Sequence, residues 1–137
     1  MDNSSSRLQE VFFYGLYMDP EILESKGVVA RNPRKASVKG YQLRIGKMAT
    51  LLRSENSVAH GLVYSLTHEE IHTLYWGSGL DAYVAEALLV EIEDGDRVAV
   101  LCCNLLEPPE EAESNPEYFE KLVNCMQGLG LSIPELV

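Results

Sequence analysis

The alternation of hydrophobic and polar positions predicts short strands in the first half of the chain. An apolar run rich in aromatic residues begins at Val11 and ends at Gly15, which is typical of a buried strand that runs into a loop. Three further runs of strand-forming residues follow it. They predict strands over Ala36–Ile45, Met48–Leu52 and Val58–Tyr64.

Turn residues separate these segments and a later pair of strands. Gly46 and the polar segment 54–57 predict the first two turns. Farther along, Tyr83–Ile92 and Val98–Cys103 flank an Asp-Gly pair at 94–95, which is the residue pair that tight hairpin turns favour. We therefore predict an antiparallel hairpin in the second half of the chain.

Capping residues and periodicity predict three short helices. Asp19 precedes a proline and can cap the first helix. Thr67 and Glu70 have the spacing of a capping box for the second. The third is predicted to begin after Asn115 and to end at Gly128. Its apolar positions have helical spacing and lie at Phe119, Leu122, Val123 and Met126.

The order of these elements indicates the fold class. Strands predominate, and helices intervene singly without a strand–helix–strand rhythm. We predict an α+β fold with a small mixed or antiparallel sheet, closed like a barrel and flanked by short helices. A chain of 137 residues suits one domain. We assign that domain to residues 11–137, after a disordered polar tail at 1–10.

Composition and charge narrow the classes of partner. The net charge of −10 would repel a phosphate backbone, so we expect no nucleic-acid partner. No apolar run is long enough to span a membrane, and the first residues lack a secretory signal. Three cysteines without a paired spacing are typical of a reducing compartment. We expect a cytoplasmic monomer or homodimer that binds a small molecule and needs no cofactor.

Residues 68–72 read HEEIH, which matches the zinc-binding pattern H-E-x-x-H. Such a site needs a long helix and a third ligand in addition to His68 and His72. In the longer form of the pattern, Tyr75 occupies the glycine position and Ser78 the position of the last histidine. The remaining histidine, His60, lies in a predicted strand. The pattern therefore favours a capped surface helix over a metal site.

Several segments, in order, resemble the γ-glutamylcyclotransferase fold family, which includes the AIG2-like proteins. These segments cover about residues 11–134 and read FFYGLYM, KMATLL, VAHGLVYSL, AYVAEALLVEI and NPEYFEKLVNCMQGLGLSIPEL. The resemblance implies an intramolecular aminolysis. The α-amine of a γ-glutamyl compound attacks its own γ-carbonyl, 5-oxoproline forms and the attached amine leaves. Such a reaction needs a carboxylate base, a folded substrate and hydrogen-bond donors for the oxyanion.

The resemblance implies that the loop after the first strand binds the ligand. Tyr14 and Gly15 match the start of the family's loop. Leu16 and Tyr17 stand where serine and asparagine are usual, and Met18 stands at the usual leucine. The side-chain donors of the loop are therefore altered, whereas its backbone N–H groups need only the turn.

The resemblance also implies where the catalytic glutamate would lie. Tyr83 matches a family tyrosine, and its hydroxyl either contacts ligand or belongs to a core aromatic residue. Seven residues earlier, Trp76 occupies the glutamate position, and an indole N–H is a donor only. Asp81 is the best local acid to replace it, because Glu86 has the opposite strand parity to Tyr83.

Three functions remain open. The chain binds a γ-glutamyl or related amino-acid-like molecule without converting it, or it is an active cyclotransferase that uses an acid such as Asp81. The third alternative is a structural or interaction protein whose pocket has collapsed around Trp76. An open cavity with a carboxylate would favour the enzyme, an open cavity without one would favour binding, and an indole that fills the space would favour the third.

Overall fold

The computed structural model describes residues 4, 6–77, 79–110 and 113–134. Some predicted features therefore lie outside the described residues, namely parts of the tail, of the turn after the second helix, of the acidic loop and of the C-terminus. The described chain forms five strands and three α-helices. The strands are β1 (Leu8–Phe13), β2 (Arg31–Ile45), β3 (Ala49–Thr67), β4 (Tyr83–Ile92) and β5 (Arg97–Leu105). The helices are α1 (Pro20–Ser25), α2 (His68–Leu74) and α3 (Pro116–Leu129).

The strands close into a small barrel in the order β1-β3-β2-β4-β5. Neighbouring strands are antiparallel except at the closure, where β1 and β5 are parallel and Val11 pairs with Leu101. A mixed barrel with three short helices around it confirms the predicted α+β class. Within the described ranges, no helix is long and apolar enough to cross a membrane.

The core lies on both faces of the barrel wall. Phe12 and Phe13 are neighbours on β1 and point to opposite faces, yet both are almost fully buried. The Phe13 ring lies 6.1 Å from that of Tyr64, whose hydroxyl donates to the Met18 carbonyl oxygen in the loop after β1. Side chains therefore fill the barrel, and the loop and the helices cover its outer face near the site described below.

The long hairpin of β2 and β3 differs from the prediction. The predicted turn at residues 54–57 is wrong, because β3 continues from Ala49 to Thr67 as one strand. β2 also begins at Arg31, five residues before the predicted start at Ala36. The two strands pair on both sides of an irregularity. Lys39 pairs with Val58 and Tyr41 with Arg53, so residues 54–57 of β3 lie opposite Gly40 without partners on β2. The four polar residues therefore form an irregular insertion within one long strand, because paired residues on both sides of them keep the chain extended.

Two boundaries also differ from the prediction. β1 begins at Leu8, inside the segment 1–10 assigned to the tail, because Leu8 pairs with Thr67 of β3. α3 continues through Gly128 and is capped by Gly130, whose φ of 74° is left-handed. A glycine ends a helix only where the chain adopts the left-handed conformation. The predicted end at Gly128 is therefore wrong, and Gly130 ends the helix.

Candidate functional site

A cavity of about 320 Å³ lies at one end of the barrel. Five parts of the chain form its wall: the end of β1 with the loop after it, α1, the turn between β2 and β3, the segment from the end of α2 to the start of β4, and the first turn of α3. Its volume suits a small organic molecule. It is lined by Phe13, Tyr14, Gly15, Leu16, Tyr17, Ile22, Lys47, Met48, Ala49, Tyr75, Leu80, Tyr83 and Tyr118.

Aromatic rings dominate the wall. Tyr75 is buried, and its ring lies 5.4 Å from the ring of Tyr17 and 5.2 Å from that of Tyr83. Such edge and tilted contacts stabilise aromatic clusters beyond the area they bury. Tyr75 therefore holds the two sides of the cavity together.

Three tyrosine hydroxyls in the wall already donate to backbone carbonyl oxygens. Tyr14 donates to Cys103 over 2.6 Å, Tyr17 donates to Leu74 over 2.6 Å, and Tyr83 donates to Ala49 over 2.5 Å. Burial raises the pKa of Tyr14 and Tyr83 above the ordinary tyrosine value. These hydroxyls therefore stay protonated at neutral pH, and none of them serves as a base.

The loop after β1 follows the predicted turn but is covered on one side. Leu16–Met18 forms a single turn of 3₁₀ helix after Gly15. The Leu16 N–H donates to the hydroxyl of Tyr118 over 3.1 Å, and a β-carbon at Gly15 would overlap that hydroxyl. Met18 is fully buried and does not line the cavity. One backbone donor of the loop is therefore already satisfied from α3.

Trp76 lies beside the cavity and is not part of its lining. The indole Nε1 donates to the Tyr83 carbonyl oxygen over 3.1 Å, and its ring lies 5.9 Å from that of Tyr75. The side chain is partly buried against the core. The indole thus joins the end of α2 to the first residue of β4, and the cavity has not collapsed around it.

The predicted replacement acid lies outside the cavity. Asp81 is exposed and does not contribute to the lining. Glu86 is also exposed on the opposite side of β4, where it accepts a hydrogen bond from Asn104 Nδ2 over 3.1 Å. No aspartate, glutamate or histidine is among the described residues that line the cavity. The described lining therefore offers no carboxylate or imidazole that could act as a general base.

The HEEIH segment has a structural role. The predicted capping box is present: Thr67 accepts from the Glu70 N–H, and Glu70 accepts from the Thr67 N–H. Glu70 also accepts from Val29 N–H and pairs with Arg31 over 2.6 Å. Burial opposes ionisation of Glu70, but these hydrogen bonds outweigh it and lower its pKa. Among the described residues, no three potential ligands are grouped to hold a metal ion.

The sequence predictions assigned no site role to several residues that line the cavity, among them Lys47, Tyr75 and Tyr118. In the sequence, Tyr75 stands out only at the glycine position of the longer zinc pattern, and Tyr118 lies in the NPEY segment of the last helix. Lys47 precedes the MATLL segment in the turn between β2 and β3, and no local pattern singles it out. The barrel brings these distant segments together.

Known structures share this fold. An Arabidopsis thaliana protein solved in solution is 21% identical over 95% of this chain and 90% of its own, with a TM-score of 0.68. A gamma-glutamyl cyclotransferase is 16% identical over 93% of this chain and 83% of its own, with a TM-score of 0.74. An AIG2-like protein from Mus musculus is 18% identical over 85% and 94%, with a TM-score of 0.57. No curated protein sequence matches the chain.

The family assignment comes from the sequence match. Residues 11–120 match the family model described as gamma-glutamyl cyclotransferase, AIG2-like. The match covers most of the chain and includes the loop, both hairpins and the first residues of α3. The chain therefore belongs to the gamma-glutamyl cyclotransferase, AIG2-like family.

Proposed function

We propose that this chain binds a γ-glutamyl or related amino-acid-like small molecule in the tyrosine-lined cavity and does not convert it to 5-oxoproline. The observation that carries the proposal is a cavity of about 320 Å³ whose described lining contains no carboxylate and no imidazole. The family membership supports the ligand class, and the missing base supports the absence of turnover.

Removal of a general base typically slows a reaction about 100- to 10,000-fold. The amine of a γ-glutamyl compound must lose a proton before it attacks the carbonyl carbon. Burial raises the pKa of Tyr75 well above its ordinary value, so its hydroxyl cannot replace a carboxylate as the proton acceptor. The Trp76 indole is a donor, and it is engaged with the Tyr83 carbonyl oxygen.

The test is to measure binding and turnover on the same samples. Calorimetry with a panel of γ-glutamyl amines and peptides reports binding, and chromatography of the incubated mixtures reports 5-oxoproline. We expect binding without release of 5-oxoproline. Asp81→Asn is the matched variant, because Asp81 is exposed and outside the lining, and it should leave binding unchanged.

Two results would contradict the proposal. Release of 5-oxoproline by the wild-type protein would establish an active enzyme, and loss of that release in Asp81→Asn would identify Asp81 as its base. Absence of binding by every member of the panel, from protein that is folded by circular dichroism, would favour a structural or interaction role instead.

A further inference from the structure

The cavity wall offers donors and aromatic rings, and it lacks a negatively charged acceptor. The hydroxyls of Tyr14, Tyr17 and Tyr83 donate hydrogen bonds to backbone carbonyl oxygens. Each of these hydroxyl oxygens can still accept a hydrogen bond, but only as a neutral and therefore weak acceptor. The Tyr75 hydroxyl is engaged with the Cys103 thiol. The other polar side-chain groups of the described lining are the Tyr118 hydroxyl and the Lys47 ammonium group.

The Tyr118 hydroxyl has a proton to give. Its oxygen accepts the Leu16 N–H over 3.1 Å, and in the described part of the chain its own O–H has no acceptor. Burial raises the pKa of Tyr118, so the hydroxyl is protonated at neutral pH. Accepting one hydrogen bond strengthens a hydroxyl as the donor of the next. Tyr118 therefore offers a hydrogen-bond donor to a ligand in the cavity, beside the Leu16 N–H that it already accepts.

Lys47 supplies a positive charge at the cavity. It is exposed in the turn between β2 and β3, and no described carboxylate forms an ion pair with its ammonium group. The carboxylate of Glu113 instead accepts a hydrogen bond from the backbone N–H of Lys47, with Oε2 3.4 Å from the backbone nitrogen. The ammonium group is thus available to an anion from solution.

We infer that the ligand is held by a carboxylate group, which accepts hydrogen bonds from the Tyr118 hydroxyl and the Lys47 ammonium group while its apolar part packs on the tyrosine rings. This inference rests on the proposed function and names the end of the ligand that is recognised. Hydrogen bonds with a charged partner are about twice as strong as neutral ones. A ligand that carries only a positive charge would meet Lys47 without any described carboxylate in the wall to balance it.

The experiment compares matched ligands that differ only in this group. Each γ-glutamyl amine that binds is tested beside its α-carboxamide, by calorimetry, on the wild type, Lys47→Met and Tyr118→Phe. Lys39→Met and Tyr41→Phe are the control variants, because both residues lie on β2 and neither lines the cavity. Thermal denaturation verifies that every variant is folded.

We expect the wild type to prefer the carboxylate by about tenfold or more, which corresponds to one hydrogen bond with a charged group. Lys47→Met should abolish that preference, and Tyr118→Phe should weaken binding of the carboxylate by about tenfold, while both controls match the wild type. Equal binding of the two ligands, or carboxylate binding that neither variant weakens, would overturn this inference and leave the proposed function standing. If no ligand binds at all, the proposed function fails and the inference fails with it.

Discussion

The indole nitrogen of Trp76 lies 3.1 Å from the carbonyl oxygen of Tyr83 and donates a hydrogen bond to it. This contact ties the end of α2 to the beginning of β4, next to the cavity. The neighbouring residue, Tyr75, lines the cavity, whereas Trp76 does not. Trp76, which the sequence resemblance predicts to stand at the family glutamate position, thus links two elements of the structure.

Trp76→Glu should lower stability without creating cyclotransferase activity. The glutamate loses both the indole packing and the bond to Tyr83, so we expect a loss of about 2–4 kcal/mol. Trp76→Phe is the matched control, because it keeps an aromatic ring and should lose about half as much. Urea denaturation measures both. Appearance of 5-oxoproline in Trp76→Glu would show that position 76 does reach the ligand.

Gly15→Ala should disturb the cavity at its donor loop. A β-carbon there would overlap the Tyr118 hydroxyl, so we expect a loss of about 1–3 kcal/mol of stability and weaker ligand binding. Gly128→Ala is the control, because a β-carbon there has nothing within 4 Å and the residue lies inside α3. That change should stabilise the protein by about 0.5–1 kcal/mol. Equal stability of the two variants would contradict the close approach of Tyr118.

Glu70→Gln should destabilise the protein in a pH-dependent manner. Because the pKa of Glu70 is lowered in the folded state, its ionised form contributes stability above the unfolded pKa, and this is lost as pH falls through the folded pKa. At neutral pH we expect a cost of about 1–2 kcal/mol, which should shrink in acid. Thermal denaturation across acidic pH gives both values.

Glu69→Gln is the control, because Glu69 is an exposed first-turn acid of the same helix.

A chelator should leave the melting temperature of the wild type unchanged if HEEIH serves only to cap α2. A lower melting temperature with the chelator, restored by zinc, would instead establish a metal site.

Cys102 and Cys103 should resist thiol reagents in the folded protein. Both are buried, and burial raises the pKa of Cys103 to about 12 and that of Cys102 further. Cys125 is partly exposed, although burial raises its pKa to about 11. Labelling with a maleimide at neutral pH should therefore modify Cys125 first and slowly, and all three after denaturation. Fast labelling of Cys103 in the native state would contradict the packing around the cavity.

The helix caps show what the sequence by itself determined. Asp19 accepts from the Glu21 N–H, the Thr67 capping box is formed, and Asn115 accepts from the Tyr118 N–H, as the local patterns predict. The hairpin around residues 94–95 also follows from its Asp-Gly pair. Each of these features depends on residues within a few positions of one another, so the energies that decide them are visible in a short segment.

The tertiary structure decided the features that depend on distant partners. β3 spans residues 54–57 because β2 pairs with it on both sides of them, at Arg53 and at Val58, and these distant partners outweigh a local turn preference. Whether position 75 or 76 faces the cavity depends on how α2 docks on β4, which no spacing along the chain expresses. Lys47 and Tyr118 line the same cavity although 70 residues of chain lie between them, because barrel closure places the turn after β2 beside α3.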